Sequence, residues 1–146
     1  MTGVPDALLD SLIGAALAED VGEGDVTTLW TVDAGRRARG TIHAKEAVVV
    51  AGGRAAELSF QRVDPELTVE ILAPDGASLS PGSAILTVVG SARSILTGER
   101  TALNFLARLS GIATLTRSYV DAVQGTKARI LDTRKTTPGW RALEKW

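Results

Sequence analysis

The sequence predicts an α/β chain in two parts: a small layered α/β unit over residues 1–110, then the first β/α unit of a larger architecture over residues 111–146. Three observations predict it. Short apolar or alternating segments, of strand length, recur between Ala38 and Val89 with turn residues between them. A long stretch of helical spacing follows, from about Ser94 to Gln124. After Gly125 come a short apolar run, a polar loop and a new helical pattern, the rhythm of a β/α barrel or a doubly wound sheet.

Each element has a local reason. Asp6 stands before Leu8, Leu9, Leu12, Ile13, Ala16 and Leu17, so it is expected to cap an amphipathic helix that Gly22 and Gly24 end. The acid- and glycine-rich stretch Glu19 to Thr28 is expected to be a loop held by Asp25, Thr27 and Thr28. It lacks the alternate-ligand spacing of a calcium loop. From Ala38 to Lys45 small or apolar residues (Ala38, Gly40, Ile42, Ala44) alternate with Arg39, Thr41, His43 and Lys45, giving a half-buried strand. Val48 to Ala51, Leu67 to Leu72 and Ala84 to Val89 read as further strands, and Arg54 to Arg62 as a short helix. Pro74-Asp75-Gly76 and Ser80-Pro81-Gly82 carry turn chemistry. The long helix is expected to be interrupted near Gly111, and Arg100, Asn104 and Arg108 share one of its polar faces. Ala128 to Leu131 is expected to be a strand and the last helix to begin at Trp140 or Arg141.

With 45% hydrophobic and 23% charged residues, the chain is not disordered, collagen-like or low-complexity. Its apolar runs are far shorter than the ~20 residues of a membrane span, and no base precedes Arg36 to form the n-region of a signal peptide. No cysteine is present, which excludes disulfides, thiolate metal sites and a cysteine nucleophile. A cytoplasmic protein without a membrane partner is expected. Charge is graded: residues 1–35 carry seven acids and no base, whereas residues 91–146 carry ten bases and four acids. The basic end would face an anion, or the acidic head of one subunit would meet the basic tail of another. No aromatic residue interleaves with the bases as a stacking platform, so no nucleic-acid partner is expected.

The segment Asp132-Thr133-Arg134-Lys135-Thr136-Thr137-Pro138-Gly139 is the most informative for chemistry. Two adjacent cations backed by hydroxyls just beyond a strand make a site for a multiply charged anion. A solvated basic turn has the same composition. Arg100 beside Glu99 reads either as a local surface pair or as a ligand. His43 reads as a surface residue, and no glycine cluster has phosphate-loop or dinucleotide spacing.

Four segments in order, Glu19 to Thr28, Gly98-Glu99-Arg100-Thr101-Ala102-Leu103-Asn104, Leu109-Ser110-Gly111-Ile112-Ala113-Thr114 and Asp132 to Gly139, together resemble the amino-terminal half of the quinolinate phosphoribosyltransferases. The resemblance implies an amino-terminal α/β sandwich followed by the start of an incomplete α/β barrel. It also implies transfer of phosphoribosyl from phosphoribosyl pyrophosphate to quinolinate, with loss of the 2-carboxylate to give nicotinate mononucleotide. On this resemblance Arg100, Thr133, Arg134 and Lys135 are substrate-binding residues, Arg100 reaching into a neighbouring subunit's site in a homodimer or larger assembly. None of the chain's residues is assigned as a catalytic group or a metal ligand. Magnesium is the implied cofactor, its ligands lying beyond this chain, which is therefore expected to be inactive alone, with a mobile or aggregation-prone end after Gly125. Two other readings are compatible with parts of the sequence: a pyrophosphorylase-like protein of molybdate-transport operons or a nicotinate phosphoribosyltransferase, and a lipoyl- or biotinyl-type carrier module suggested by Asp75 to Leu86 with Lys45 as the modified residue.

Overall fold

In the computed structural model, which describes residues 4–146, alternation from Arg37 onward produces the first strand, β1 (Arg37–His43), with Ala38, Gly40 and Ile42 half-buried and the intervening residues exposed. It pairs antiparallel with β5 (Ala84–Ser91), whose continuous apolar run suits a central strand; β3 (Thr68–Ile71) pairs with the other edge of β5. The sheet order is therefore β1-β5-β3. A second, two-stranded sheet joins β2 (Val48–Val49) to β4 (Ser78–Leu79). The register shifts between Ile42 and His43 as β1 ends. Lys45 thus lies in the bend before β2 rather than on a strand, and β2 is shorter than the apolar run Val48 to Ala51 suggested.

Helices α3 (Gly53–Val63) and α4 (Ala92–Ala122) cover the sheet and pack on each other. Phe60, Val50, Leu86, Val88, Ala102 and Leu106 form the main core. Gly98 lets the two helices approach: a Cβ there would stand 3.1 Å from Phe60 Cδ1. Gly52, at φ +94°, turns the chain into α3, and the Asp75 carboxylate accepts from the Gly52 and Gly53 amides at 3.1 and 3.0 Å. The turn read at Pro74 to Gly76 is thus also the cap of a helix 22 residues away.

Helix α4 runs unbroken through Gly111. An exposed helical glycine costs only ~1 kcal/mol relative to alanine, and packing on either side outweighs it. Leu109 belongs to a second core with Leu9, Ile13, Ala55, Phe105 and Leu143. Leu9 and Ile13 come from α1 (Asp6–Val21), which begins at Asp6 itself with Pro5 as its cap residue. Asp6 makes no capping hydrogen bond; as the first helical residue it sits at the positive end of the helix dipole. Leu143 comes from α5 (Arg141–Lys145), preceded by Trp140, whose ring stacks on Phe105 with centroids 5.0 Å apart.

Two further expectations are corrected. The stretch Glu19 to Thr28 is mostly helical: α1 continues to Val21 and α2 (Val26–Thr31) begins soon after, leaving Gly22 to Asp25 as the connection. The cap role of Asp25 does hold, its Oδ1 accepting from the Thr28 amide at 3.0 Å. Ala128 to Leu131 forms no strand. A strand needs a hydrogen-bonding neighbour, and every described strand pairs within the two amino-terminal sheets. Leu131 is left 81% exposed. Among the described residues, no helix is long and apolar enough to cross a membrane.

Candidate substrate-binding site

Arg100 projects from the third turn of α4 toward the last turn of α1. Its Nη1 donates to Asp20 Oδ1 at 2.7 Å, yet the side chain remains 73% exposed. The Asp20 carboxylate beside it raises the guanidinium's pKa above its already high ordinary value, so Arg100 is a fixed cation. Asp20, Asp25, Thr27, Thr97 and Arg100 line a polar cavity of about 320 Å³.

The loop after α4 is organised separately. The Lys135 amide donates to Thr133 Oγ1 at 3.1 Å, a local turn that puts Arg134 and Lys135 at the exposed surface. Helix α5 grips this loop from below. Arg141 Nη2 donates to the Arg134 carbonyl at 3.2 Å, and Lys145 pairs with Asp132 at 2.6 Å. Glu144, whose side chain is only 8% exposed, receives Thr137 Oγ1 at 2.6 Å, the Thr137 amide at 3.0 Å and Arg108 Nη2 at 2.7 Å. Thr133 and Lys135 line a cavity of about 380 Å³ with Arg108, Ile112, Asp132 and Glu144. This cavity and the one at Arg100 share no residue. Of the four candidate ligands, Thr133, Arg134 and Lys135 are therefore neighbours on one loop, and Arg100 lines a different cavity.

Sequence reading named Arg108 only as part of a polar stripe and did not single out Glu144. Their partnership spans 36 residues and leaves no local pattern. His43 is exposed, its Nδ1 3.0 Å from the Gly82 carbonyl, and takes no part. Among the described residues, no three histidine, cysteine, aspartate or glutamate side chains come together to hold a metal ion. Asp132 is already paired with Lys145, so these residues do not fit as a magnesium cage.

Glu144 carries a pH prediction. Hydrogen bonds from the Thr137 hydroxyl, and next from Arg108, hold its carboxyl below the ordinary value of 4.5. A depressed folded value means that the anchor contributes fully above pH 4.5 and is lost as pH falls through that lower value. Hydrogen exchange at Thr137 should accelerate below pH 4.5 ahead of exchange in the β1–β5 pairing, and Glu144→Gln should remove that acid dependence. An acid response that survives the substitution would place the titrating group elsewhere.

Two family models match in succession: the quinolinate phosphoribosyl transferase amino-terminal domain over residues 25–110, and the carboxyl-terminal domain over residues 112–146. The chain belongs to the quinolinate phosphoribosyl transferase family. It is 47% identical to the nicotinate-nucleotide pyrophosphorylase (carboxylating) of Mycobacterium leprae, over 97% of this chain and 50% of that protein. To the probable enzyme of the same name from Synechocystis it is 43% identical, over 97% of this chain and 48% of that one. The solved structure of the nicotinate-nucleotide pyrophosphorylase from Francisella tularensis superimposes with a TM-score of 0.92 at 33% identity, covering 97% of this chain and 51% of its own. That of NadC from Streptococcus pyogenes gives 0.92 at 40% identity, covering 98% and 51%. The chain thus spans about half the length of these relatives. Membership across both family regions sets aside the carrier-module reading. Within the family frame, Arg100 lies inside the amino-terminal match and Thr133, Arg134 and Lys135 inside the carboxyl-terminal one.

Proposed function

We propose that this chain supplies the amino-terminal part of an enzyme that transfers phosphoribosyl from phosphoribosyl pyrophosphate to the ring nitrogen of quinolinate, releasing pyrophosphate and then CO2 to give nicotinate mononucleotide. The observation that carries this reading is the match to both family regions, with an exposed cation of the chain in each. Quinolinate is a planar dicarboxylate, and guanidinium groups match carboxylates in a plane. Arg100 and Arg134 suit its two carboxylates, and Lys135 suits phosphate oxygens as a point charge. Holding the ring nitrogen in line with the anomeric carbon can lower the barrier by ~7–11 kcal/mol. As the glycosidic bond breaks, positive charge develops on the ribose and negative charge on pyrophosphate, where a cation such as Lys135 acts. The positively charged ring nitrogen then stabilises the carbanion left at C2 as CO2 departs, and C2 takes up a proton from water, so no protein nucleophile is required.

The same reading has Arg100 completing the site of a neighbouring subunit in a homodimer or larger assembly. Its separation from the Thr133–Lys135 cavity and its exposure support this. The multiply charged, water-soluble substrates fit a cytoplasmic setting. The test is turnover by a protein of full family length that carries this sequence. Quinolinate and phosphoribosyl pyrophosphate should yield one nicotinate mononucleotide, one pyrophosphate and one CO2 per cycle. Turnover of nicotinate in place of quinolinate, with no CO2, would overturn the assignment.

A further inference from the structure

The acidic segment beginning at Glu19 and the segment Gly98 to Thr101 are distant in sequence but adjoin in the fold. Asp20 and Arg100, 80 positions apart, meet at 2.7 Å. Asp20 lies in the last turn of α1, where the helix dipole disfavours an anion, so α1 itself gives no reason for a carboxylate there. Its side chain is 20% exposed, and that of Arg100 is 73% exposed. Asp25 adds a second tie: Oδ1 accepts from the Thr28 amide, and Oδ2 accepts from Thr97 Oγ1 at 3.5 Å, one turn before Arg100 on α4. The connection between α1 and α2 is thus fastened to the turn of α4 that carries the arginine.

A guanidinium offers five N–H donors in a rigid fork. Asp20 engages Nη1 alone, leaving other donors for a second carboxylate. We propose that Asp20 is a positioning residue for Arg100, gripping one nitrogen so that the rest of the guanidinium is presented outward to a carboxylate of the substrate; this rests on the reading of Arg100 as a quinolinate ligand. An exposed ion pair without such a role would be worth little and would leave substrate binding untouched.

The test uses Asp20→Asn, Arg100→Ala and the double variant in a protein of full family length carrying this sequence. Asp20→Asn is expected to raise KM for quinolinate about tenfold, with kcat and KM for phosphoribosyl pyrophosphate nearly unchanged. Arg100→Ala should raise it further, and adding Asp20→Asn to that variant should do nothing more. If Asp20→Asn folds poorly, Asp20→Glu, which keeps the charge but displaces it, should give the same selective rise. An unchanged or lowered quinolinate KM in the Asp20 variants, beside a raised one in Arg100→Ala, overturns the positioning role and leaves the function intact. No effect of Arg100→Ala overturns the ligand role of Arg100 and the positioning role with it.

Discussion

Replacing Arg134 by alanine in a protein of full family length is expected to weaken quinolinate binding by about 2–5 kcal/mol. The loop would survive the change, because what holds it is the backbone and other side chains. Arg141 grips the carbonyl of residue 134, Thr133 receives the amide of residue 135, and Glu144 fixes Thr137. The loss would therefore be that of a cation and its bidentate match, with one carboxylate left unpaired. Calorimetric titration with quinolinate checks it, and unchanged affinity would remove Arg134 from the site. Lys135→Ala should instead slow turnover more than it weakens quinolinate, since a point charge toward phosphate oxygens acts mainly as the leaving group departs. Equal losses would show that Lys135 also holds the dicarboxylate.

Phe105→Ala is expected to cost about 3–5 kcal/mol of folding stability. Phe105 is 1% exposed and sits where α1, α4 and the carboxyl-terminal segment meet, among Leu9, Ile13, Leu109 and Leu143. Its ring stacks nearly parallel on Trp140, an aromatic contact worth ~0.5–1.5 kcal/mol beyond the buried area. The substitution would leave a cavity and release Trp140 at once. Urea unfolding should show the loss, and hydrogen exchange should rise at Trp140 to Lys145 more than in the β1–β5 pairing, which belongs to the other core. A loss below about 1 kcal/mol would mean that the site collapses around the smaller side chain.

The parts of this fold legible in the sequence are those whose pattern is local. Alternation around Ala38 to Ile42 marked β1, the apolar run at Ala84 marked the central strand, and the segment from Arg54 marked α3 to within a residue at each end. Composition suggests a strand at Ala128 to Leu131, but pairing is a property of neighbours, and none of the described strands pairs with it. Gly111 looked like a break because its intrinsic cost is visible in the sequence, whereas the packing that outweighs it is not. The site divided in the same way. Adjacent Thr133, Arg134 and Lys135 announced an anion loop, but the carboxylate that anchors the loop comes from Glu144 and the one that grips Arg100 comes from Asp20. Those partners are brought in by helix packing over separations that no motif records.

The central claim is that one dicarboxylate site draws on Arg100 and on the Arg134 loop, which belong to different cavities of a single subunit. Subunit mixing tests it most directly. Full-length Arg100→Ala and Arg134→Ala subunits, each impaired at a fixed low quinolinate concentration when assayed alone, should regain activity when mixed, because some hybrid sites then hold both intact arginines. In a verified mixed assembly, no recovery at all would contradict a site shared between subunits.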